Sequence, residues 1–175
     1  MAHAATVRPA ADEFAPYYGN YIAQVADGDI RAALRAQGES VLATFRTVPE
    51  ARGDHAYGPG KWTLRESLLH MIDAERVFAY RMLRVARADR TPLPGFDQDT
   101  WVPNCDAALR TVPSLTEEFA AVRAATVTLA DSLTEAAWIR TGTASDKPVS
   151  ARALAWIIAG HTEHHMKLLR DKYLA

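Results

Sequence analysis

One cysteine in 175 residues, Cys105, leaves this chain without an intrachain disulfide and without the ligands of a Cys-rich zinc module. Twenty Lys and Arg against 21 Asp and Glu give a net charge of −1, with a pI near 6.6. No global basic field is therefore expected to hold nucleic acid or an anionic membrane. Nowhere do about eighteen apolar residues follow one another, so no transmembrane helix is expected. The opening stretch, MAHAATVRPAADEF, has no unbroken apolar core of a secretory signal, and a reduced, cytoplasmic setting is the expectation. A sustained period-two alternation is missing, which counts against strands. Two sharp metal motifs are missing as well. The residue after His161 is Thr162, so the general-base Glu of a zinc-protease HExxH helix is absent, and no Glu-x-x-His of a di-iron bundle occurs.

What the chain has is apolar residues at helical spacing and much alanine, 33 residues of it, which favours helix. Its length and 49% hydrophobic content suit a single domain over residues 1–175, with residues 1–11 as a flexible tail that orders only by docking. Four long helices are predicted. The first runs from Asp29 to Val48, interrupted by Gly38, which reads as a bend. The second opens on the capping box Thr63-Leu64-Arg65-Glu66 and continues towards Arg90. The third starts from a similar box, Ser114-Leu115-Thr116-Glu117, and ends near Leu133. The fourth runs from Ser150 to about Tyr173. The expected fold is all-α, an up-and-down four-helix bundle. More than twenty residues, Thr91 to Pro113, connect helices two and three, a length typical of functional lids and binding loops. A helical turn at Thr134–Trp138 and a polar loop, Thr141–Pro148, precede the fourth helix. Tyr17, Tyr18 and Tyr21 are expected to pack over a bundle end.

The histidines carry the chemistry. His161 and His165 are spaced i, i+4, which places them about 40° apart around a helix and about 6 Å along it. They continue the stripe of Leu154, Ile158 and Leu168, so they replace two core-facing residues. His70 lies beside the stripe of Leu68 and Met71, between the small residues Ser67 and Ala74. An inward imidazole needs a partner, and a divalent metal would satisfy all three while keeping a coordination position open for reaction. A histidine pair on one helix is by itself also compatible with a surface or hydrogen-bonded pair.

Four segments, Gly60-Lys61-Trp62-Thr63, His70-Met71-Ile72-Asp73-Ala74-Glu75, Pro94-Gly95-Phe96-Asp97-Gln98-Asp99 and Gly160-His161-Thr162-Glu163-His164-His165, resemble the DinB-like (YfiT-like) superfamily in order and spacing. The resemblance covers the chain after about Tyr17. It implies a four-helix bundle, often a homodimer, with a divalent metal held by His70, His161 and His165. It further implies a metal-dependent enzyme. Relatives with a known role use bacillithiol, mycothiol or glutathione in transferase or isomerase reactions, and others are described as metal-dependent hydrolases or damage-inducible proteins.

Supporting residues have two readings each. Asp73, at i+3 from His70, either orients that imidazole or is a solvated carboxylate. Arg81 shares the His70 meridian about 16 Å further along and either grips a carboxylate of a thiol cofactor or belongs to a solvated face. Phe96, Asp97, Asp99 and Trp101 are pocket candidates in the long connection. Glu66 is assigned to its capping box, His164 to a flank, Trp62 and Trp156 to the core, and Cys105 to no role. Gly160 either admits a neighbouring helix or only weakens its own. The expected function is a divalent-metal-dependent S-transferase. Zinc or nickel is the foremost metal, joined by a low-molecular-weight thiol and a small-molecule substrate. A metal-dependent hydrolase and a non-catalytic metal-binding stress protein are the alternatives.

Overall fold

The computed structural model describes residues 3–174. Four long helices form, α2 (Ile30–Phe45), α3 (Leu64–Ala86), α5 (Val112–Asp131) and α7 (Ala151–Lys172), with the single helical turn α1 (Gly19–Ile22) before them and α4 (Gln98–Trp101) and α6 (Glu135–Trp138) between them. Each long helix starts on a side-chain cap. Asp29, Thr63, Thr111 and Ser150 accept hydrogen bonds from the backbone N–H groups of Arg31, Glu66, Ser114 and Ala153. Glu66 completes its box by accepting from the Thr63 N–H at 2.7 Å, as its sequence context required. Ser114 is not a cap. Pro113 is tolerated in a first turn, where its missing N–H costs nothing, so the cap of α5 is Thr111, three residues before that of the apparent box.

The bundle expected from four helices is present, and its winding follows from which helices touch. Helix α2 packs on α5 and α7, and α3 packs on the same two. The successive pairs α2/α3 and α5/α7 therefore sit diagonally rather than side by side, while α3 and α5 are neighbours, an order the long connections permit. Two apolar cores result. One surrounds Trp138, Trp156 and Ile157, and the other surrounds Phe45, Phe119, Leu169 and Tyr173.

A polar layer lies between the two cores. Arg123 of α5, 4% exposed, pairs through Nε and Nη2 with both oxygens of Glu75 on α3, each at 2.8 Å. Its remaining protons reach the Leu34 carbonyl at 3.0 Å, Gln37 Oε1 at 3.2 Å and Thr162 Oγ1 at 3.0 Å. All five guanidinium donors are thus used, and all four long helices are joined. Gly38 does not bend α2, which runs unbroken; a Cβ there would come within 2.9 Å of Arg123 Cγ. The glycine makes room for the arginine.

Two expected loops are structured. Thr141–Ala144 (β1) and Lys147–Ser150 (β2) form an antiparallel hairpin where a polar loop was anticipated. Ser145 and Asp146 both adopt positive φ at its tip, the geometry of a two-residue primed turn, without the glycine that usually announces one. The long connection lays Leu93 beside β1, with the Leu93 N–H donating to the Thr143 carbonyl and the Ser145 N–H to the Leu93 carbonyl. The expected N-terminal tail is docked from His3 onward. Ala5 is fully buried, and Arg8 donates to the Ile22 and Val25 carbonyls while stacking over Trp156.

Candidate metal centre

Helix α3 carries His70 and α7 carries His161 and His165 to the same point, at the boundary of the two cores. All three are buried, at 7%, 6% and 8% exposure. His161 Nε2 lies 3.1 Å from His70 Nε2 and 3.1 Å from His165 Nε2. One ligand atom from each ring falls within 4.8 Å of the others, the only such group of three among the described residues. Burial drives the imidazoles towards their neutral form. It lowers the His70 pKa to about 4 and that of His165 to about 3, and it holds that of His161 well below the ordinary imidazole value, with the neighbouring histidines adding to the shift. Neutral nitrogens aimed at one point are the donor set a divalent ion requires. Tetrahedral Zn–N bonds of about 2.0 Å set nitrogen separations of about 3.3 Å, close to the two found here. The residues fit the ion.

Aromatic rings wall the centre. Trp62 is tilted against His70 with centroids 4.9 Å apart. Tyr21 and Phe78 meet His161 edge-on at 5.4 and 5.8 Å. A cavity of about 390 Å³ opens from the three histidines past Tyr17, Tyr18, Phe96 and Gln98, a size suited to a small organic ligand. The Tyr17 and Tyr21 hydroxyls are 3.1 Å apart. Burial, then the Tyr17 hydrogen bond, raises the Tyr21 pKa, so its phenol stays protonated. Trp62 is thus a cavity wall rather than the core anchor its sequence context suggested. Nothing local to it could have revealed this, since its neighbours are set by tertiary packing alone. Trp156 is the buried anchor.

None of the charged candidates hydrogen-bonds to the three histidines. Asp73 faces Arg76 at 3.3 Å, and burial raises its carboxyl pKa against that pairing; it makes no hydrogen bond to His70. Arg81 is 3% exposed and donates to the Pro94 carbonyl at 2.6 Å and to Ser145 Oγ at 3.2 Å, stacked near Phe78 and Phe96. It pins the long connection to the hairpin and lies outside the cavity lining. Asp97 caps α4 through the Asp99 N–H. Asp99 borders a second, smaller cavity. His164 is exposed on the flank, edge-on to Tyr21, and burial raises the Cys105 thiol pKa, away from nucleophile chemistry.

Gly160 admits α1. A Cβ there would penetrate the backbone carbonyl of Tyr21, and that backbone cannot swing aside as a flexible side chain would. Gly160→Ala gains about 1 kcal/mol of helix propensity and loses more to overpacking, about 1–3 kcal/mol. The expected outcome is a net loss of stability with a displaced Tyr21. Thermal unfolding together with Tyr21 ring resonances checks it, and an unchanged spectrum would show that the contact does not constrain α1.

The model of the DinB superfamily matches residues 33–169. No curated protein matches at the sequence level. Among solved structures, YfiT from Bacillus subtilis, described as a probable metal-dependent hydrolase with an unusual four-helix bundle topology, is 15% identical. It superposes with a TM-score of 0.68 over 84% of this chain and 89% of its own. A mycothiol-dependent maleylpyruvate isomerase is 16% identical, with a TM-score of 0.67 over 84% of this chain and 62% of its own, so this chain spans less than two thirds of that protein. At such identities the two structures speak for the fold. With the family match running from α2 through both histidines of α7, the chain belongs to the DinB superfamily.

Proposed function

We propose that this protein is a divalent-metal-dependent S-transferase that joins a low-molecular-weight thiol to a small electrophile. The observation that carries the reading is the chemistry of the cavity wall. Three buried neutral imidazoles reach it, and no Asp, Glu, Lys or Arg lines it. When bound, a divalent ion supplies positive charge that lowers the pKa of a ligated thiol or water and polarises a carbonyl.

The residues of the chain do the rest. His70, His161 and His165 hold the ion through Nε2 and, being neutral, cancel none of its charge. Phe78, Phe96 and Trp62 exclude bulk water from the approach. The Tyr17–Tyr21 hydroxyl pair offers a neutral donor to a substrate oxygen. Without a carboxylate base at the wall, a reaction whose nucleophile has already surrendered its proton to solvent is favoured over one needing a protein base. In the transfer, the sulfur electron pair forms the sulfur–carbon bond. The leaving group departs with the electron pair of the bond that breaks. Hydrolysis of an ester or amide at the same centre is the second reading, supported by the description of YfiT. The cavity beside the histidines speaks against a purely structural metal.

Metal analysis of the purified protein tests the centre. One divalent ion per chain is expected in the wild type. Each of His70→Ala, His161→Ala and His165→Ala should weaken zinc affinity by more than about 100-fold. His161→Ala should be the worst, because its Nε2 neighbours both of the others. Unchanged stoichiometry in all three variants would sink the assignment. Thiol-conjugation assays then separate transferase from hydrolase: consumption of thiol and electrophile in equal amounts supports the first, and ester cleavage without thiol loss supports the second.

A further inference from the structure

His165 is reached from two cavities. The aromatic cavity is one, and a second of about 280 Å³ is the other. Trp62 is a wall common to both, and its backbone carbonyl accepts from the Tyr173 hydroxyl at 2.6 Å. The two chambers differ in chemistry. The first is lined by six aromatic carbocycle or indole side chains and by no charged residue. The second is lined by Lys61 and Asp99, by the hydroxyl-bearing Ser67 and Tyr173, and by His165. Neither Lys61 nor Asp99 has an ion-pair partner among the described residues; the Lys61 ammonium lies only near the Tyr57 ring, at 5.9 Å.

We infer that Trp62 partitions the two reactants: an uncharged planar electrophile enters the aromatic chamber, and a thiol bearing both carboxylate and ammonium groups enters the polar one. This rests on the transferase reading and adds to it a substrate class for each side. An uncharged ring stacks on tyrosine and phenylalanine faces at little desolvation cost, whereas a carboxylate carried into that chamber would find no Lys or Arg there and would compete with the thiolate for the ion itself. In the polar chamber, Lys61 receives a carboxylate and Asp99 an ammonium, and the sulfur between them is directed at the His165 side of the centre. A thiol without charges has nothing to hold it there.

The test uses the full-length, zinc-loaded protein. S-methylglutathione, which cannot react, is titrated calorimetrically into the wild type, Lys61→Ala and Asp99→Asn. Binding weakened at least fivefold in each variant, with zinc content unchanged, is the expected result. No binding to the wild type, or equal binding to all three, overturns the polar chamber. Turnover then reads the aromatic side with glutathione and two electrophiles of the same reactivity class, 1-chloro-2,4-dinitrobenzene and 4-chloro-3-nitrobenzoate. In each, the sulfur–carbon bond forms, chloride leaves with the carbon–chlorine electron pair, and the thiol proton goes to buffer. After correction for the uncatalysed rates, kcat/KM should favour the uncharged electrophile at least tenfold, and Gln98→Lys should narrow that gap. Lys61→Ala should raise KM for glutathione without raising it for the electrophile. Equal use of both electrophiles overturns the aromatic chamber. Absence of conjugation with every pair, alongside intact S-methylglutathione binding, defeats the transferase reading and not the charge assignment.

Discussion

Replacing Glu75 with leucine should destabilise the protein by about 3–5 kcal/mol, because it leaves the Arg123 guanidinium buried without its counter-charge. Arg123→Met should cost a similar amount by leaving the Glu75 carboxylate alone at 2% exposure. The double variant Glu75→Leu/Arg123→Met should recover most of that loss, since apolar residues of similar volume forgo the attraction but also its desolvation penalty. Arg123→Lys is no substitute: an ammonium has three donors and no fork, against the five bonds made here to Glu75, Leu34, Gln37 and Thr162. Urea denaturation of the four proteins measures these values and yields the coupling between the two residues. Either single variant within about 1 kcal/mol of the wild type would show that the pair is not buried in solution as the structure has it.

That network was not legible as a sequence pattern, and the reason is physical. Glu and Arg on amphipathic helices belong by default to the solvated face, and nothing in Glu75 or Arg123 alone says otherwise. The trace they leave is Gly38, a gap in an apolar stripe, and a gap reads equally as a bend. The histidines were legible because an imidazole occupying a core stripe demands explanation, and because caps and helical periodicity fixed α3 and α7 to within a few residues. The hairpin escaped for want of a signal: β1 and β2 are four residues each, largely polar, and their turn uses Ser145 and Asp146 in place of asparagine and glycine. Trp62, Tyr17, Tyr18 and Tyr21 could be seen as aromatic but not as walls, since the diagonal winding that brings them to the histidines is a tertiary outcome. Arg81 is neither on a solvated face nor free for a ligand, because the long connection that folds back over it takes up the guanidinium.

The polar mid-layer and the metal centre occupy the same height of the bundle, where Thr162 serves the first and its neighbour His161 the second. The histidine side of this layer gives the metal-free protein a characteristic acid response. An unfolded histidine takes up its proton near pH 6.5. In the fold, burial holds His70 neutral down to about pH 4 and His165 to about pH 3. Between those limits the unfolded chain binds more protons than the native one, so stability rises with pH and is lost as pH falls. The contribution is complete above about pH 7, and His70 alone removes about 3 kcal/mol by pH 4. The paired carboxylates whose pKa values are lowered, Glu13, Asp29, Glu50, Asp89 and Glu118, lose their contribution at lower pH, below the ordinary carboxylate range. From pH 6.5 to about 4.5 the fall in stability is therefore carried by the buried imidazoles, with Asp73, whose pKa burial raises, acting in the opposite sense. Urea midpoints of metal-free protein at pH 7, 6 and 5 should fall steeply, and those of a His70→Leu/His161→Leu/His165→Leu variant should stay nearly level. A wild-type midpoint that does not move between pH 7 and 5 would mean the three rings are hydrated or already protonated in solution, and the neutral donor set on which metal binding rests would be lost with it.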